Sequence, residues 1–349
     1  MLEKYIKTSP EWLNAKGEEA DIAISSRIRL ARNIKDIPFA HWAPMNDLEK
    51  VTKMIEEAIF RIVSFKNADI IRQNDLVPLQ KQFLIERHLV SPEHGNSKLG
   101  SVVVSEREII SIMINEEDHL RMQVLSSGLN LIDTWQIIAK VEEELSAILP
   151  FAFSFDFGYL TACPTNVGTG MRASIMLHLP ALSLSNRIEK IIPFLSKVGM
   201  VSRGFYGEKS ETFGDLFQVS NQITLGKKEE ELIENLLKVV RQIIEYEREE
   251  RELLRTKGGI QMEDRFKRAY GLLVNAKLIP SREAMELLSI IRLGIHLGFL
   301  PSVPTERLNR LLVFTQPAHL QLAIGGPSNP AVRDRGRAEL IQRELGIKQ

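Results

Sequence analysis

Residues 109–121 run IISIMINEEDHLR, an apolar stretch closed by the adjacent carboxylates Glu116, Glu117 and Asp118, with Arg121 just beyond. A β-branched run bounded by polar residues predicts a strand, and SVVVS at 101–105, set off by Glu106-Arg107-Glu108, predicts its hairpin partner. The second strand therefore ends at the carboxylates. Downstream, the spacing predicts a long amphipathic helix through about 120–148, with Arg121 one turn in and on the side of Glu117 by i,i+4 spacing. Carboxylates this crowded need cationic partners or carry shifted pKa values. The plainer account is an acidic loop at a helix N-terminus, favoured by the helix dipole.

Outward from this stretch, strands interleave with helices. Residues 21–30, DIAISSRIRL, put Ile22, Ile24, Ile28 and Leu30 on one side of a period-2 pattern and Ser25, Arg27 and Arg29 on the other: a half-buried strand with an arginine face. Helices are predicted over 47–64 and 75–90, the latter ending near His88. FAFSFDFGYLTA, residues 151–162, leads into a glycine-rich turn, and 171–179 is an apolar run halted by Pro180. A helix near 185–198, strand-like segments at 200–206 and 215–224, and a charged helix over 228–256 complete one α/β or α+β domain, residues 1–255. Gly258 and Gly259 mark a break. Beyond it, residues 256–349 read as a small helical second domain: Met285, Leu288, Ile291 and Ile295 form a stripe after a capping Ser281, and Asn329-Pro330 has the pattern of an N-cap followed by proline.

Composition narrows the function. A chain of 349 residues suits a main domain with an appendage, or two domains, and 44% hydrophobic residues supply a core. Lys+Arg and Asp+Glu both number 45, so no global field recruits nucleic acid or an anionic membrane, and phosphate affinity has to come from local clusters. The start, MLEKYIKTSPEWLNAKGEEADIA, has no apolar signal region, and no stretch approaches the roughly 20 apolar residues of a membrane span. The expectation is a soluble cytoplasmic protein. A single cysteine, Cys163, makes no internal disulfide and fits a reducing compartment.

Arg27, Arg29 and Arg32 cluster where forked guanidiniums can bind phosphate oxygens, or where a solvated strand face carries salt bridges; the third arginine tips the balance towards phosphate. The turn CPTNVGTGMRAS, residues 163–174, satisfies G-x-G-x-x-A, but Pro180 follows too soon for a dinucleotide-binding helix. No Walker A sequence occurs. Cys163 is a buried small residue, a thiolate tuned by nearby arginines, or a nucleophile. The stretch RGFYGE, residues 203–208, adds an arginine and a carboxylate on a flexible loop. His88, His119 and His178 have no metal-ligand spacing, so no protein-held metal is expected, while magnesium can come with a nucleotide.

SSRIRLAR, INEEDHLR, CPTNVGTGMRAS and RGFYGE occur in this order over residues 20–255, and together they resemble the catalytic domain of the phosphagen (guanidino) kinases. The resemblance implies an α+β fold, an antiparallel sheet flanked by helices, that binds MgATP through arginines. Carried onto this chain, it places Arg27, Arg29, Arg121, Arg172 and Arg203 on the phosphates, with Ser26 of the same motif in the nucleotide-binding set and His88 near the adenine. Glu117 would be the catalytic carboxylate, Cys163 would lie near the target guanidinium, and Glu208 would supply the second carboxylate found in members that act on arginine. A guanidinium with a pKa above about 12 is a poor nucleophile, so two carboxylates must orient it and help remove a proton.

Small-molecule members have a helical N-terminal domain that closes over the substrate, whereas here SSRIR begins at residue 25. An open site implies a large substrate. With the helical C-terminal region and its Arg333-Asp334-Arg335-Gly336-Arg337-Ala338, the whole chain resembles the bacterial protein arginine kinases. In that group the RDxxRA stretch is linked to phosphoarginine recognition and allosteric control, which here falls on Arg333, Asp334 and Arg337; an exposed charged helix is the plainer account. The expected activity is ATP-dependent phosphorylation of protein arginines. Implied partners are proteins with exposed arginines, a zinc-binding activator and a Clp-type protease of the stress response, with a homo-oligomer possible and no nucleic acid or membrane. A free-arginine kinase and a non-catalytic phosphoarginine-binding adaptor are the alternatives.

Overall fold

A computed structural model describes residues 2–97, 99–205 and 213–346. Among the described residues ten strands form: β1 (Ala23–Arg32), β2 (Asp69–Arg72), β3 (Ser101–Val104), β4 (Ile110–Ile114), β5 (Leu120–Ser127), β6 (Phe153–Ser154), β7 (Gly158–Tyr159), β8 (Met171–His178), β9 (Met200–Arg203) and β10 (Leu216–Asn221). Eight make one sheet in the order β2-β3-β4-β5-β1-β8-β10-β9, antiparallel at every pairing, and β6 and β7 form a separate two-stranded ribbon. The sheet is the one expected: antiparallel and flanked by helices.

Alternation along each strand sorts the side chains between two faces. Ile28 and Leu30 of β1, Met122 and Val124 of β5, and Ala173, Ile175 and Leu177 of β8 join the main core. Helices Met45–Ile59, Leu131–Ser146 and Glu229–Lys257 close this face with Val51, Ile55, Ile138, Val141, Leu236 and Val240. The intervening positions, among them Arg27, Arg29, Arg121, Gln123 and Arg172, face the other way.

The expected helix over 120–148 is two elements. Leu120, Met122 and Val124 alternate with Arg121 and Gln123, a period of two that makes β5. The chain then turns at Gly128, whose φ of +69° and 2.5 Å approach of a would-be Cβ to the Glu18 carbonyl admit only glycine, and the helix runs Leu131–Ser146. Arg121 therefore sits in a strand, not a helix. Ile24 departs from the expected stripe as well. A register shift between Ala23 and Ser25 turns it into a cluster with Trp12, Leu125 and Met176, on the face away from Ile28.

After Gly258 the described chain is helical, with helices Gly259–Asn275, Ser281–His296, Thr305–Phe314, Pro317–Ala323 and Pro330–Glu344 around a core of Phe266, Leu288, Ile291, Leu311 and Ile341. Asn329 caps its helix as expected, accepting from Val332 N at 2.9 Å, whereas Ser281 is the first helical residue and Pro280 stands at the cap. These helices share a core with the sheet, Met285, Leu312, Val313 and Phe314 packing among Trp12, Ile24, Leu125 and Leu216. Among the described residues no helix is long and apolar enough to cross a membrane.

Candidate active site

At mid-sheet, Arg29 stands opposite both Arg172 of β8 and Gln123 of β5, Arg27 opposite Ser174, and Ala31 opposite Arg121. Arg203 of β9 is paired with Gln218 of β10. All five arginines line one cavity of about 550 Å³. Burial, then repulsion from Arg172, Arg121 and Arg203, pushes the Arg27 guanidinium down to about 10. Burial and the charges of Arg27, Arg121 and Arg172 push Arg29 well below the ordinary arginine range, with Glu116 opposing. Arg27 Nε is buried with no hydrogen-bond partner among the described residues. Arg27 and Arg29 are thus held among like charges, an environment that favours an anionic occupant of the cavity.

The carboxylates border the same cavity with their roles divided. Asn115, in the left-handed region at φ +54°, anchors the loop to helix Met45–Ile59 by donating to Leu48 O at 3.0 Å and Thr52 Oγ1 at 2.9 Å. Glu116 is buried, accepting from Arg121 Nη1 at 2.7 Å and from the Ser91 hydroxyl. Asp118 is buried too, its Oδ1 accepting from Asn33 Nδ2 and from Ala162 N, both at 2.7 Å. Glu117 remains the most accessible of the three; Arg121 Nη2 holds it at 3.0 Å and 39% of its side chain is exposed. Burial raises its pKa against the pull of Arg121, with Asp118 and Glu116 adding to the rise. A carboxylate tuned upwards at a cavity wall is suited to accept a proton.

His119 fixes the neighbouring segment. Its Nδ1 accepts from Ile34 N at 2.9 Å, so Nε2 carries the proton and donates to Pro38 O at 2.8 Å. Burial lowers its pKa, consistent with a neutral ring.

Cys163 lines the cavity at the start of the glycine-rich turn, its Sγ 3.0 Å from Thr165 Oγ1. Gly168 and Gly170 have φ of +112° and +61°, and a Cβ on either would meet Thr224 O at 2.5 Å or Ala31 O at 2.7 Å. Gly168 thus lets the turn pass the chain beyond β10 and Gly170 lets it lie against β1 before β8 delivers Arg172; no helix follows directly, as the position of Pro180 indicated. His88, at φ +60°, also lines the cavity, edge-on to Trp12 and Phe205 at 5.4 and 4.7 Å. Burial, then Arg27, takes its pKa down to about 3, leaving a neutral ring as a wall for a planar group.

Two expected residues do not join the site. Ser26 points to the helix-covered face, where its hydroxyl donates to Gly128 O at 2.8 Å and accepts from Asn130 N at 2.8 Å. Arg32, on the same parity, is 1% exposed; it donates to Thr169 O at 2.9 Å and Glu142 at 3.2 Å and stacks 3.4 Å over Tyr159. It is a strut and not a phosphate ligand. Glu208 lies outside the described residues. Sequence reading missed Gln123, Ser91 and Asn33; Gln123 follows from the parity of Arg121 once 120–127 is read as a strand.

Residues 50–250 match the C-terminal catalytic domain of the ATP:guanido phosphotransferases, and residues 259–349 match the C-terminal domain of the protein-arginine kinase McsB. The protein-arginine kinase of Symbiobacterium thermophilum is 46% identical over 343 residues, 97% of each chain. That of Halothermothrix orenii is 46% identical over 98% of each chain, and one from Bacillus cereus is 44% identical over 97% of this chain and 96% of its own. The chain belongs to the protein-arginine kinase family. It is accordingly a phosphotransferase with a guanidino-kinase catalytic domain. The fold is also that of lombricine kinase, with a TM-score of 0.60 and 23% identity over 69% of this chain and 71% of that one. The duplicated taurocyamine kinase from Schistosoma mansoni gives a TM-score of 0.62 at 23% identity over 69% of this chain, which spans 36% of that longer chain.

Family membership implies ATP as a substrate, with magnesium typically alongside. Among the described residues no three His, Cys, Asp or Glu side chains group to hold a metal, and five guanidiniums repel a bare cation. The site fits magnesium that arrives on the phosphates.

The matched C-terminal domain carries the RDxxRA stretch on helix Pro330–Glu344. Arg337 is 1% exposed, donating to Thr315 O at 2.8 Å, Ile279 O at 2.7 Å and Asp334 Oδ1 at 2.6 Å. Arg333 is half-buried and donates to Ser328 O at 2.7 Å. Arg337 thus ties its helix to neighbouring carbonyls, and Arg333 is the more accessible of the two guanidiniums.

Proposed function

We propose that this chain transfers the γ-phosphoryl group of MgATP to the guanidinium of arginine side chains in proteins. One observation carries the reading: five arginines and Glu117 line one cavity, so an anion site and a guanidinium site are contiguous. Arg27, Arg29, Arg121, Arg172 and Arg203 hold the phosphates, and His88 faces the base. Magnesium bound with the nucleotide offsets further phosphate charge. Glu117 orients the target guanidinium, with Cys163 beside it and Glu208 as the second carboxylate. The guanidinium nitrogen forms a bond to the γ-phosphorus as the bond to the ADP oxygen breaks, and the nitrogen's proton passes to Glu117. Positioning and charge compensation supply most of the acceleration in such transfers.

Arg333, Asp334 and Arg337 are proposed as a phosphoarginine-responsive site. Support comes from a chain of contacts: Arg337 binds Thr315 O, two residues before helix Pro317–Ala323, whose first amides Ala318 N and His319 N donate to Glu86 at 2.9 and 2.8 Å. Glu86 lies two residues before His88. The marking of proteins for a Clp-type protease under stress, in the cytoplasm and with a zinc-binding activator, rests on the family resemblance. Incubation with MgATP and a basic protein, kept away from acid, is expected to yield phosphoarginine by mass spectrometry. Phosphate found only on Ser, Thr or Tyr overturns the reading.

A further inference from the structure

His88 occupies a position where glycine is the usual residue. Helix Pro78–Glu86 ends in two backbone bonds, His88 N to Ile85 O at 2.9 Å and Leu89 N to Leu84 O at 3.0 Å, a pattern that puts the residue just past the helix in the left-handed region. His88 takes that conformation, at φ +60°, and its side chain makes the turn costlier than glycine would. The ring itself lines the cavity, with Trp12 and Phe205 set edge-on behind it. Strain kept at a cavity wall points to a use for the imidazole there.

The turn is held from the sheet by Gln123. Its Nε2 donates to His88 O at 2.6 Å and to Ser111 Oγ at 2.7 Å, with Leu89 O 3.3 Å away, and the Ser111 hydroxyl donates to Leu89 O at 3.1 Å. The carbonyl oxygens on this side fix which end of the amide is the nitrogen, so its hydrogens are spent on the turn and on Ser111. Gln123 is 2% exposed and lines the cavity, paired with Arg29 of β1 on one side and with Ser111 of β4 on the other. One side chain in the middle of β5 therefore stands between a cavity arginine and the carbonyls that orient His88.

We propose that Gln123 is a positioning residue for the nucleotide base: by holding the His88 and Leu89 carbonyls it sets the imidazole wall at a fixed place relative to the arginines, so that base and phosphates are gripped together. This deepens the ATP reading above and rests on it. A wall released from Gln123 leaves the phosphates to the arginines and loses the base. A Gln123 that only satisfied buried carbonyls would, when replaced, weaken the fold and every ligand of the cavity alike.

The test uses equilibrium titrations with ATP and with inorganic tripolyphosphate, which carries phosphates and no base, both with magnesium. They are made on the unaltered full chain, Gln123→Met, His88→Gly and the double variant, with thermal unfolding of each. The unaltered protein should bind ATP more tightly than tripolyphosphate, and Gln123→Met should weaken ATP about tenfold and tripolyphosphate by less than about twofold. His88→Gly should weaken ATP at least as much, and in its background Gln123→Met should cost nothing further, because the two residues act through one contact. If Gln123→Met does not fold, Ser111→Ala, which breaks the link from Gln123 to Leu89 O, should move the same ratio about threefold. A ratio left unmoved by the variants, equal weakening of both ligands, or additive losses in the double variant overturns the positioning role and leaves arginine phosphorylation intact. An unaltered protein that prefers ATP no more than tripolyphosphate also overturns it, since no base contact is then present to position. Failure of the unaltered protein to bind either ligand removes the ATP reading, and the positioning role with it.

Discussion

Arg121 holds Glu117 at 3.0 Å through Nη2 while its other nitrogen holds Glu116 at 2.7 Å. One guanidinium from β5 therefore links the cavity arginines to the most accessible of the three adjacent carboxylates. A bound phosphate would be a third anion for Arg121, and the target guanidinium could then take up Glu117, the carboxylate it shares.

Glu117→Ala should abolish transfer while leaving nucleotide binding largely intact. Removal of a positioned general base costs about 10²–10⁴-fold in rate, whereas none of the five cavity arginines is lost. Phosphoarginine formation and an ATP titration separate the two effects. A variant retaining near-normal turnover takes Glu117 out of the mechanism, and one that no longer binds ATP makes its role structural.

Arg29→Met should stabilise the free protein while weakening ATP binding. Arg29 is surrounded by Arg27, Arg121 and Arg172, with only Glu116 opposing, so it is held in a costly environment until an anion arrives. Replacing this poorly compensated, half-buried charge with an apolar side chain of similar length should gain about 1 kcal/mol, and loss of a charge-assisted phosphate contact should cost about tenfold or more in affinity. Denaturant unfolding without nucleotide and an ATP titration read the two effects. Lower stability in the free variant, or unchanged ATP affinity, contradicts the anion-site assignment.

How much of this was legible in the chain depends on where period-2 alternation was recognised. In 21–30 the alternation was read, and Arg27 and Arg29 fell on the correct face; in 120–127 the same period was read as part of a helix, and Gln123 was missed with it. Arg32 was grouped with its neighbours by proximity, although its even parity sends it to the helix face beside Glu142. Ile24 could not be placed from the pattern because the register shift at Ala23 depends on pairing with β8. The glycine turn was legible as something other than a dinucleotide loop because Pro180 leaves no room for the helix. The positioning roles of Asn33 and His119 were not legible, since their partners Asp118, Ile34 and Pro38 are brought together only by the fold.

A pH dependence is expected from Glu86. Burial raises its carboxyl from an ordinary 4.5 to about 7, despite the two backbone amides that favour its charged form. Because the folded value lies above the unfolded one, its contribution to stability is fully present below about 4.5 and is lost as pH rises through about 7. The stability difference between the unaltered protein and Glu86→Gln should therefore fall across that window, by up to about 3 kcal/mol, and be flat on either side. Titrations elsewhere in the fold cancel in this comparison. Unfolding free energies measured from pH 4 to pH 8 on both proteins give the curve, and a difference that stays level across the window shows that Glu86 keeps an ordinary pKa.

Arg337 and Arg333 should part company when each is replaced by alanine. Arg337 is buried, with Thr315 O, Ile279 O and Asp334 as its acceptors; its loss strands two carbonyls and a carboxylate, each worth about 1–3 kcal/mol when left unsatisfied. Arg333 donates to Ser328 O from a half-buried position, and its removal should cost less than about 1 kcal/mol. If the stretch senses phosphoarginine, Arg333→Ala should fold normally and lose the response of kinase activity to added phosphoarginine, whereas Arg337→Ala should show both the lower stability and the lost response. Thermal unfolding and activity with and without phosphoarginine distinguish these cases. A fully responsive Arg333→Ala variant leaves the stretch with only the structural role that Arg337 already plays, tying its helix to the carbonyl that precedes helix Pro317–Ala323.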